Sequence, residues 1–329
     1  MIDQNVLLIN GEEVSRLCSM KECVKVVEQV FIEYAKGQAR MPEKIYLDVP
    51  EYTGDFRAMP AFSQSLKTAG VKWVNSHTNN RSKNLPAVMA LMILNDPETG
   101  RPLAIIDGTT LTNLRTGAAG GVAVKHLAAE EATHAAFIGA GKQAVYQALG
   151  ILAVRPIEII TVMDPSADSV VAFKSALSSH FEGEIKVYSS SDDCVSGADI
   201  ITTTTPSKQP ILFKSCLKSG AHINAIGADA PGKQELQSDI LIDSFIVVDD
   251  IKQACHSGEL NLAIRNGLIE ESDIDTTLPD LVVGLSKKKK RHDQISIFDS
   301  TGLAIQDLAT GDFVYRAAKA SGAGKGFVF

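Results

Sequence analysis

With 329 residues, a net charge of −7 and 45% hydrophobic residues, the chain is long enough for two domains and too acidic to favour a nucleic-acid partner. It contains no uninterrupted apolar run of the roughly 18 residues that a membrane span requires, and acidic residues follow the first few apolar positions, which argues against a signal peptide. Five cysteines without a C-x-x-C pair and seven histidines without ligand spacing favour a cytoplasmic protein with reduced thiols and no metal.

The first part of the sequence is typical of a strand-rich α+β domain. A helix is expected over residues 19–37, because Ser19 and Glu22 have the spacing of a capping box and Gly37 can end the helix. Strand-like runs follow it, and the last one returns after a turn as the second strand of a hairpin. These runs lie at 44–49, 69–75, 87–96 and 101–109.

From Thr112 onward the pattern changes. Short apolar runs alternate with helical patterns, which is typical of a doubly wound parallel sheet. Residues 116–302 are therefore predicted to form a Rossmann-type α/β domain, and residues 1–115, completed by a C-terminal helix within 303–329, a smaller α+β domain. The one basic run, at 287–291, is interpreted as a solvated loop or a partner contact.

A glycine-rich turn follows the first strand of the second domain. Gly139, Gly141 and Ala144 form a G-x-G-x-x-A pattern between an apolar strand and a helix, which permits a tight turn and close approach of the backbone to a pyrophosphate. A second strand ends in Asp164, near the place where an acid that binds ribose hydroxyls is expected. The alternative is a plain glycine turn and a surface aspartate. Because Pro165 rather than an arginine follows, NAD is favoured over NADP.

Four cations stand in apolar segments of the first domain: Lys44, Arg57, Lys72 and Arg115. A lysine within an apolar strand is costly to bury unless it is paired, so Lys72 and Arg115 are candidates for binding a carboxylate. All four can instead form structural ion pairs or reach solvent. Asp229 follows an apolar strand and precedes a Pro–Gly turn; it is interpreted as a base for a bound substrate or as the start of the turn.

Seven motifs carry a resemblance to a known family. In order, "RAMPA", "GVKWVN", "LRTGAAGG", "IGAGKQA", "TTTTP", "HINAIGADAPGKQEL" and "IFDSTGLAIQDLA" resemble the ornithine cyclodeaminase/mu-crystallin family over nearly the whole chain. "PEKIYLDV", "FRAMPA" and "GADAPGKQEL" are most similar to its archaeal-type alanine dehydrogenase branch. The resemblance implies a homodimer, with a substrate-binding and dimerisation domain at 1–115 and 303–329 and an NAD-binding domain at 116–302.

The resemblance also implies roles for single residues. Lys72 and Asp229 match the family's catalytic lysine and acid/base aspartate, Arg115 matches its carboxylate-binding arginine, and Lys44 falls where an arginine helps to hold the carboxylate. Arg57 stands where cyclodeaminases carry a glutamate for the distal ammonium of ornithine. This disfavours a diamino acid and makes a small amino acid, or one with a distal anion, more plausible. The cofactor-binding residues expected are Arg115, Thr116, Gly139, Gly141, Lys142, Gln143, Asp164, Pro165, Ser166, Thr204, Thr205, Asp229, Ala230, Pro231 and Ser300.

The expected function is reversible NAD-dependent oxidative deamination of a small L-amino acid, foremost of L-alanine to pyruvate and ammonium. Three alternatives stay open within the family. They are ornithine cyclodeamination, reduction of a cyclic imine such as pyrroline-2-carboxylate or a ketimine, and non-catalytic binding by a mu-crystallin-like, NAD(P)-dependent protein. The presence of Lys72, Arg115 and Asp229 together favours an enzyme.

Overall fold

The computed structural model describes residues 5–328. The described residues of Met1–Arg115 and Leu303–Phe329 form one compact unit, and Thr116–Gly302 form a second. The strands are β1 (Asn5–Ile9), β2 (Ala39–Arg40), β3 (Ile45–Val49), β4 (Gly54–Ser63), β5 (Thr68–His77), β6 (Val88–Asn95), β7 (Pro102–Asp107), β8 (His134–Ile138), β9 (Ile159–Met163), β10 (Glu184–Val187), β11 (Ile200–Thr203), β12 (His222–Ala225), β13 (Phe245–Val248), β14 (Thr276–Thr277), β15 (Ser296–Asp299) and β16 (Lys325–Val328). The helices are α1 (Gly11–Leu17), α2 (Met20–Ala35), α3 (Gly108–Leu127), α4 (Lys142–Leu152), α5 (Ala167–Leu177), α6 (Ser191–Val195), α7 (Ile251–Ser257), α8 (Asn261–Arg265), α9 (Leu278–Val282) and α10 (Ala304–Ser321).

The first unit is built on a mixed sheet with the strand order β16-β1-β7-β6-β5-β4-β2, and β3 pairs with β4. Strands β4 to β7 are antiparallel to one another, whereas β1 and β7 are parallel. Helix α10 packs on β4, β5 and β6 and against α2. The helix lies close to the sheet at Gly311, where an added Cβ would come within 3.3 Å of the Met92 side chain. This packing buries one face of the sheet.

The local predictions for the first unit are largely confirmed. Helix α2 begins with a capping box, in which Ser19 Oγ accepts from the N–H of Glu22 while the Glu22 carboxylate accepts from the N–H of Ser19. Gly37 follows the helix with a φ of +71°, in the left-handed region that favours glycine. Strands β6 and β7 form the expected hairpin. Strand β4 was not predicted, because Gly54 and Pro60 weaken its pattern.

Strand β3 departs from its expected burial. The alternation at 44–49 predicts a half-buried strand, but Ile45 and Leu47 on one side and Tyr46 and Asp48 on the other are all exposed. The reason is that β3 pairs with β4 alone, off the main path of the sheet. An alternating pattern therefore predicted the strand but not what covers it.

The second unit is a doubly wound sheet with the strand order β10-β9-β8-β11-β12-β15-β13-β14, in which all neighbours are parallel. Alternate residues of these strands enter two buried clusters, one around Ile223 and Ile246 and the other around Phe137 and Phe173. The strand order reverses between β8 and β11, and open α/β sheets bind ligands beyond the carboxyl ends of strands at such a point. The predicted fold class is confirmed.

Several features bear on partners and metals. No helix within residues 5–328 has the length and apolarity needed to cross a membrane. In the same part of the chain, no three or more histidine, cysteine and carboxylate side chains are grouped to hold a metal ion. Lys290, within the basic run, is not simply solvated: its Nζ donates to the carbonyls of Leu127 and Gly220 at 2.9 and 3.2 Å. It thereby caps the C-terminal end of α3.

Candidate active site

Lys72 is the most deeply buried of the predicted substrate-binding residues, with 1% of its surface exposed. It lies on the face of β5 that α10 covers. Its Nζ is 2.7 Å from Asp307 Oδ2, in the first turn of α10, and donates to Thr112 Oγ1 at 3.3 Å. The buried ammonium therefore has a carboxylate partner, which offsets part of its desolvation cost.

Asp307 also holds a second cation. Arg115, on α3, donates from Nε to Asp307 Oδ1 at 2.9 Å and from Nη1 to Gln306 Oε1 at 3.1 Å. Burial opposes ionisation of Asp307, but Arg115 and Lys72 outweigh it and hold the pKa of this carboxyl below its usual value. Two cations thus share one carboxylate, which leaves an excess of one positive charge in a buried place. We call Lys72, Arg115 and Asp307 the cation cluster.

The pKa of Lys72 is lowered to about 7. Burial is the largest cause and the charge of Arg115 adds to it, whereas Asp307 acts in the opposite direction. The half-buried Lys44 lowers this pKa further, so Lys44 lies within electrostatic reach of the cation cluster. A lysine that titrates near neutral pH can exchange protons during a reaction.

Strand register places Arg57 on the same face of the sheet as Lys72. Arg57 lies opposite Val74, and Lys72 lies opposite Met59. Directly opposite residues share a face and residues two apart along a strand return to it, so Arg57 and Lys72 are diagonal neighbours with Cα atoms about 7–8 Å apart. The first unit therefore brings all four predicted substrate-binding cations to one region.

The sequence context of Arg57 suggested an isolated cation, but the structure pairs it with an acid. Its Nε and Nη2 donate to the two carboxylate oxygens of Asp55 at 2.7 and 3.1 Å, and its guanidinium lies 5.3 Å from the centre of the Tyr46 ring. Bidentate pairing of this kind fixes both the position and the direction of the guanidinium.

The acids that hold these cations were not predicted from the sequence. Asp307 and Asp312 both lie in an apolar helical pattern, and both are at most 2% exposed. A buried lysine requires a buried acid, and this helix offers two. The sequence does not say which of them meets Lys72.

In the second unit, the glycine turn has the geometry that its pattern predicts. Gly139 has a φ of +96°, and a Cβ there would come within 2.8 Å of Thr204 Oγ1. A Cβ at Gly141 would instead meet open space, and Gly141 is the N-cap of α4. Lys142 and Gln143 occupy the first turn of that helix, whose N–H groups point toward this space.

Asp164 follows β9 beside this turn and is half-buried. Its Oδ2 accepts from the N–H of Ala140 at 2.8 Å and its Oδ1 from the N–H of Ser166 at 2.8 Å, while Pro165 and Ser166 are exposed. The Asp164 carboxylate thus stabilises the glycine turn through these hydrogen bonds. Thr116 is buried on α3, and its carbonyl accepts from Gln147 Nε2.

Glu235, which sequence analysis did not identify, joins the ends of two neighbouring strands. One carboxylate oxygen accepts from the N–H and hydroxyl of Thr205 at 2.6 and 2.8 Å. The other accepts from the Thr203 hydroxyl and the N–H of Gly227, both at 2.8 Å. Burial raises the pKa of Glu235 while these donors oppose the rise. Glu235 thereby fixes the turn that contains Thr204 and the loop that leads to Asp229.

Asp229 lies in the loop after β12, four residues beyond the end of the strand. Its side chain is 40% exposed and forms an ion pair at 2.5 Å with Lys233, four residues later in the same loop. Ala230 is half-buried and Pro231 is exposed beside it. The carboxylate is therefore open to water and has a cation next to it.

Further acids are buried at the same edge of the sheet. Asp249, Glu259 and Asp299 are each at most 1% exposed and accept hydrogen bonds from backbone N–H groups of neighbouring segments. Burial and the nearby charges of Asp249 and Glu235 raise the pKa of Asp299 to about 8. Ser300 follows it, and its buried Oγ has no hydrogen-bond partner among the described residues.

Asp299 is expected to make the protein less stable as the pH rises from about 4 to about 8. Because its folded pKa exceeds the unfolded value of about 3.9, the folded protein retains a proton that the unfolded chain loses, so this stabilisation is complete at low pH and is lost through pH 8. Asp299→Asn should reduce the fall by about 1.4 kcal/mol per pH unit within that range. Urea unfolding at several pH values measures this. An unchanged slope in the variant contradicts it.

Comparison with known proteins gives the family. The sequence profile of the ornithine cyclodeaminase/mu-crystallin family matches residues 4–322. The chain belongs to this family. The resemblance expected from the seven motifs is thereby confirmed.

Three comparisons show where the chain lies within it. The chain is 44% identical to an alanine dehydrogenase of Archaeoglobus fulgidus over 98% of both chains. It matches the structure of an archaeal alanine dehydrogenase dimer with bound NAD with a TM-score of 0.94 and 44% identity over 99% of each chain. A Δ1-pyrroline-2-carboxylate reductase of Thermococcus litoralis, solved with NADH and L-proline, also gives a TM-score of 0.94, at 33% identity over 97% of this chain and 99% of the other. The identity to the alanine dehydrogenases is higher than the identity to the reductase, which agrees with the expected similarity to the alanine dehydrogenase branch.

Proposed function

We propose that the protein is an NAD-dependent dehydrogenase that oxidises a small L-amino acid, foremost L-alanine, to the 2-oxo acid and ammonium in a reversible reaction. The cation cluster carries this proposal, because Lys72 and Arg115 share the carboxylate of Asp307. An excess buried charge is costly until a counter-ion balances it. The α-carboxylate of an amino acid supplies that counter-ion, and the 44% identity to an alanine dehydrogenase supports alanine.

In this proposal, Arg115 and Lys72 bind the α-carboxylate with help from Lys44. Asp307 and Gln306 take two of the five N–H donors of Arg115 within the described residues, so the rest of the guanidinium fork can bind a carboxylate. Lys72 adds a point charge. Holding the carboxylate on fixed cations orients the Cα–H bond for reaction.

Proton transfer is assigned to Asp229 and Lys72. Loss of hydride from alanine gives an iminium, which must add water and release ammonia to become pyruvate. Asp229 is exposed enough to meet water, and Lys72 titrates near neutral pH, so the two can take a proton from water and return one to the leaving nitrogen. Overall, alanine, water and oxidised cofactor give pyruvate, ammonium, reduced cofactor and one proton.

The second unit is assigned to NAD binding. The open space beside Gly141 and the N-terminus of the 11-residue helix α4 fit a pyrophosphate, and the unpartnered Oγ of Ser300 offers a further polar contact. When bound, NAD supplies the acceptor for the hydride that leaves the α-carbon. The residues that would hold it are Arg115, Thr116, Gly139, Gly141, Lys142, Gln143, Asp164, Pro165, Ser166, Thr204, Thr205, Asp229, Ala230, Pro231 and Ser300.

Asp164→Asn is expected to reduce the preference for NADH over NADPH by about tenfold. The asparagine side chain still accepts a hydrogen bond at the glycine turn, but the negative charge that repels a 2′-phosphate is gone. Dissociation constants for both cofactors, measured by calorimetry, give the ratio. Asp168→Asn, an exposed aspartate in the first turn of α5, is the matched control. Equal ratios in the two variants would remove Asp164 from cofactor selection.

The first unit is assigned to substrate binding and dimerisation. Ile45, Ala58, Trp73 and Leu91 lie in register across four strands, on the face opposite Lys72. Ile45, Trp73 and Leu91 are 63%, 42% and 51% exposed. A contiguous apolar face of this kind favours a protein partner, and the archaeal alanine dehydrogenase dimer supports a second copy of the chain.

A second candidate function is reduction of a cyclic imine, which the similarity to the pyrroline-2-carboxylate reductase of Thermococcus litoralis supports. Nicotinamide absorbance separates the two. NADH formation with L-alanine and NAD, and NADH consumption with pyruvate and ammonium, support the dehydrogenase. Consumption of NADH with Δ1-pyrroline-2-carboxylate alone would replace it with the reductase.

A further inference from the structure

The pairing of Arg57 with Asp55 leads beyond the reaction to the choice of substrate. The two side chains are only 13% and 21% exposed and are joined through both carboxylate oxygens. The ring of Tyr46 lies 5.3 Å from the guanidinium. The pair therefore has a fixed geometry and low solvent access, unlike a surface ion pair between mobile side chains.

The Arg57–Asp55 pair lies beside the proposed site for the substrate carboxylate. Arg57 and Lys72 share a face of the sheet as diagonal neighbours, at a Cα separation of about 7–8 Å. Their side chains start from the same face as the cation cluster. A substrate held by its α-carboxylate on Lys72 and Arg115 therefore has Arg57 and Asp55 within reach of its side chain.

We propose that Asp55 sets the side-chain specificity of this site by balancing the charge of the Arg57 guanidinium, so that amino acids with small uncharged side chains are accepted and dicarboxylic amino acids are excluded. The inference rests on the proposed binding of the α-carboxylate by the cation cluster.

The physical reason lies in the charge balance around Arg57. A guanidinium is the side chain best suited to bind a second carboxylate, so Arg57 without Asp55 beside it would favour aspartate. Asp55 takes two of the five N–H donors of Arg57 and balances its charge, so a distal carboxylate would find no net positive charge there and would also meet the negative charge of Asp55. A distal ammonium would meet Arg57. Selectivity for a neutral side chain thus comes from pairing the two charges rather than from removing them.

Asp55→Asn tests the proposal, because it keeps the size of the side chain and removes its charge. Binding of succinate and of propanoate to the purified protein, measured by calorimetry, compares a ligand that has a distal carboxylate with one that lacks it. We expect the variant to bind succinate at least about tenfold more tightly relative to propanoate than the unmodified protein does. Adding Arg57→Met to this variant should abolish the gain.

Asp48→Asn is the matched control. Asp48 lies directly opposite Asp55 on β3 and is exposed, so the same loss of charge occurs on the same face, one strand away. This variant should leave the succinate-to-propanoate ratio unchanged. A rise equal to that of Asp55→Asn would mean that net charge alone governs the ratio, which would overturn the proposal.

Two further outcomes are decisive. If Asp55→Asn weakens succinate and propanoate equally, Asp55 only orients Arg57 for the α-carboxylate and the proposal is wrong. If the ratio shifts as expected but no variant oxidises L-alanine or L-aspartate with NAD, the specificity inference stands and the dehydrogenase proposal fails. Thermal unfolding of each variant verifies that it is folded.

Discussion

Replacement of Lys72 by methionine is expected to lower kcat for L-alanine oxidation by about 10²- to 10⁴-fold. Methionine keeps the apolar stem but removes the ammonium that lies 2.7 Å from Asp307. Asp307 retains Arg115 as its partner, so the cluster loses its excess charge and the folded state should be no less stable. Steady-state kinetics together with thermal unfolding therefore separate lost catalysis from lost structure.

Lys290→Met is the matched control, because Lys290 is a partly buried lysine that donates only to the backbone carbonyls of Leu127 and Gly220 among the contacts described. We expect it to lower stability and to leave kcat nearly unchanged. Lys72→Arg adds a second comparison, since arginine keeps the charge and does not titrate. With a pKa of about 7 for Lys72 in the protein without substrate, kcat/KM should rise as the pH increases through 7 in the unmodified protein, and Lys72→Arg should lack this rise. Near-normal kcat in Lys72→Met would contradict the assignment.

Asp229→Asn is expected to lower kcat by a similar factor of about 10²–10⁴, with little change in the KM for L-alanine. The variant keeps the shape of the loop after β12 but loses the carboxylate that can take a proton from water. Because the side chains of Asp229 and of its partner Lys233 are both partly exposed, stability should change little. Kinetics in both directions of the reaction measure the loss.

Asp199→Asn provides the control for this prediction. Asp199 is also a partly buried aspartate in an ion pair with a lysine, Lys218, but it precedes β11 at the amino edge of the parallel sheet, away from the edge where such sheets bind ligands. It also accepts from the N–H groups of Thr133 and His134, so a moderate loss of stability is expected with kcat retained. If Asp229→Asn retained activity as Asp199→Asn does, Asp229 would only begin a turn.

Features that depend on neighbouring residues could be predicted from the sequence. The capping box of Ser19 and Glu22, the hairpin of β6 and β7, and the glycine turn before α4 all follow from residues a few positions apart. In each case one or two backbone conformations satisfy the local hydrogen bonds, so the spacing of the residue types is informative. The parallel sheet was predictable for the same reason, because its strands and helices alternate in order.

The partners of the charged residues were not predictable in this way. A lysine in an apolar strand, such as Lys72, predicts that a buried acid is needed. Its partner Asp307 lies in the last helix and meets Lys72 only after that helix packs on the sheet. Glu235 likewise depends on the pairing of β11 and β12, which brings Thr205 and Gly227 to one carboxylate. Such contacts are fixed by topology, which a single sequence encodes only indirectly.

Arg57 shows the same difficulty within a short segment. Asp55 is only two residues away, but the pairing requires both residues to lie in an extended strand that places them on one face. The glycine and proline in that segment weaken the strand pattern. If the strand is not predicted, Arg57 is interpreted as an isolated cation, and its pairing with Asp55 and the proposed role in specificity cannot be inferred.

The most direct test of the cation cluster as the substrate carboxylate site is a crystal structure with NADH and oxamate, an unreactive analogue of pyruvate. We predict that the oxamate carboxylate lies within about 3 Å of the Arg115 guanidinium and of Lys72 Nζ, with Asp307 still between the two cations. A carboxylate bound elsewhere, or a cluster closed off from the ligand by packed side chains, would contradict the account.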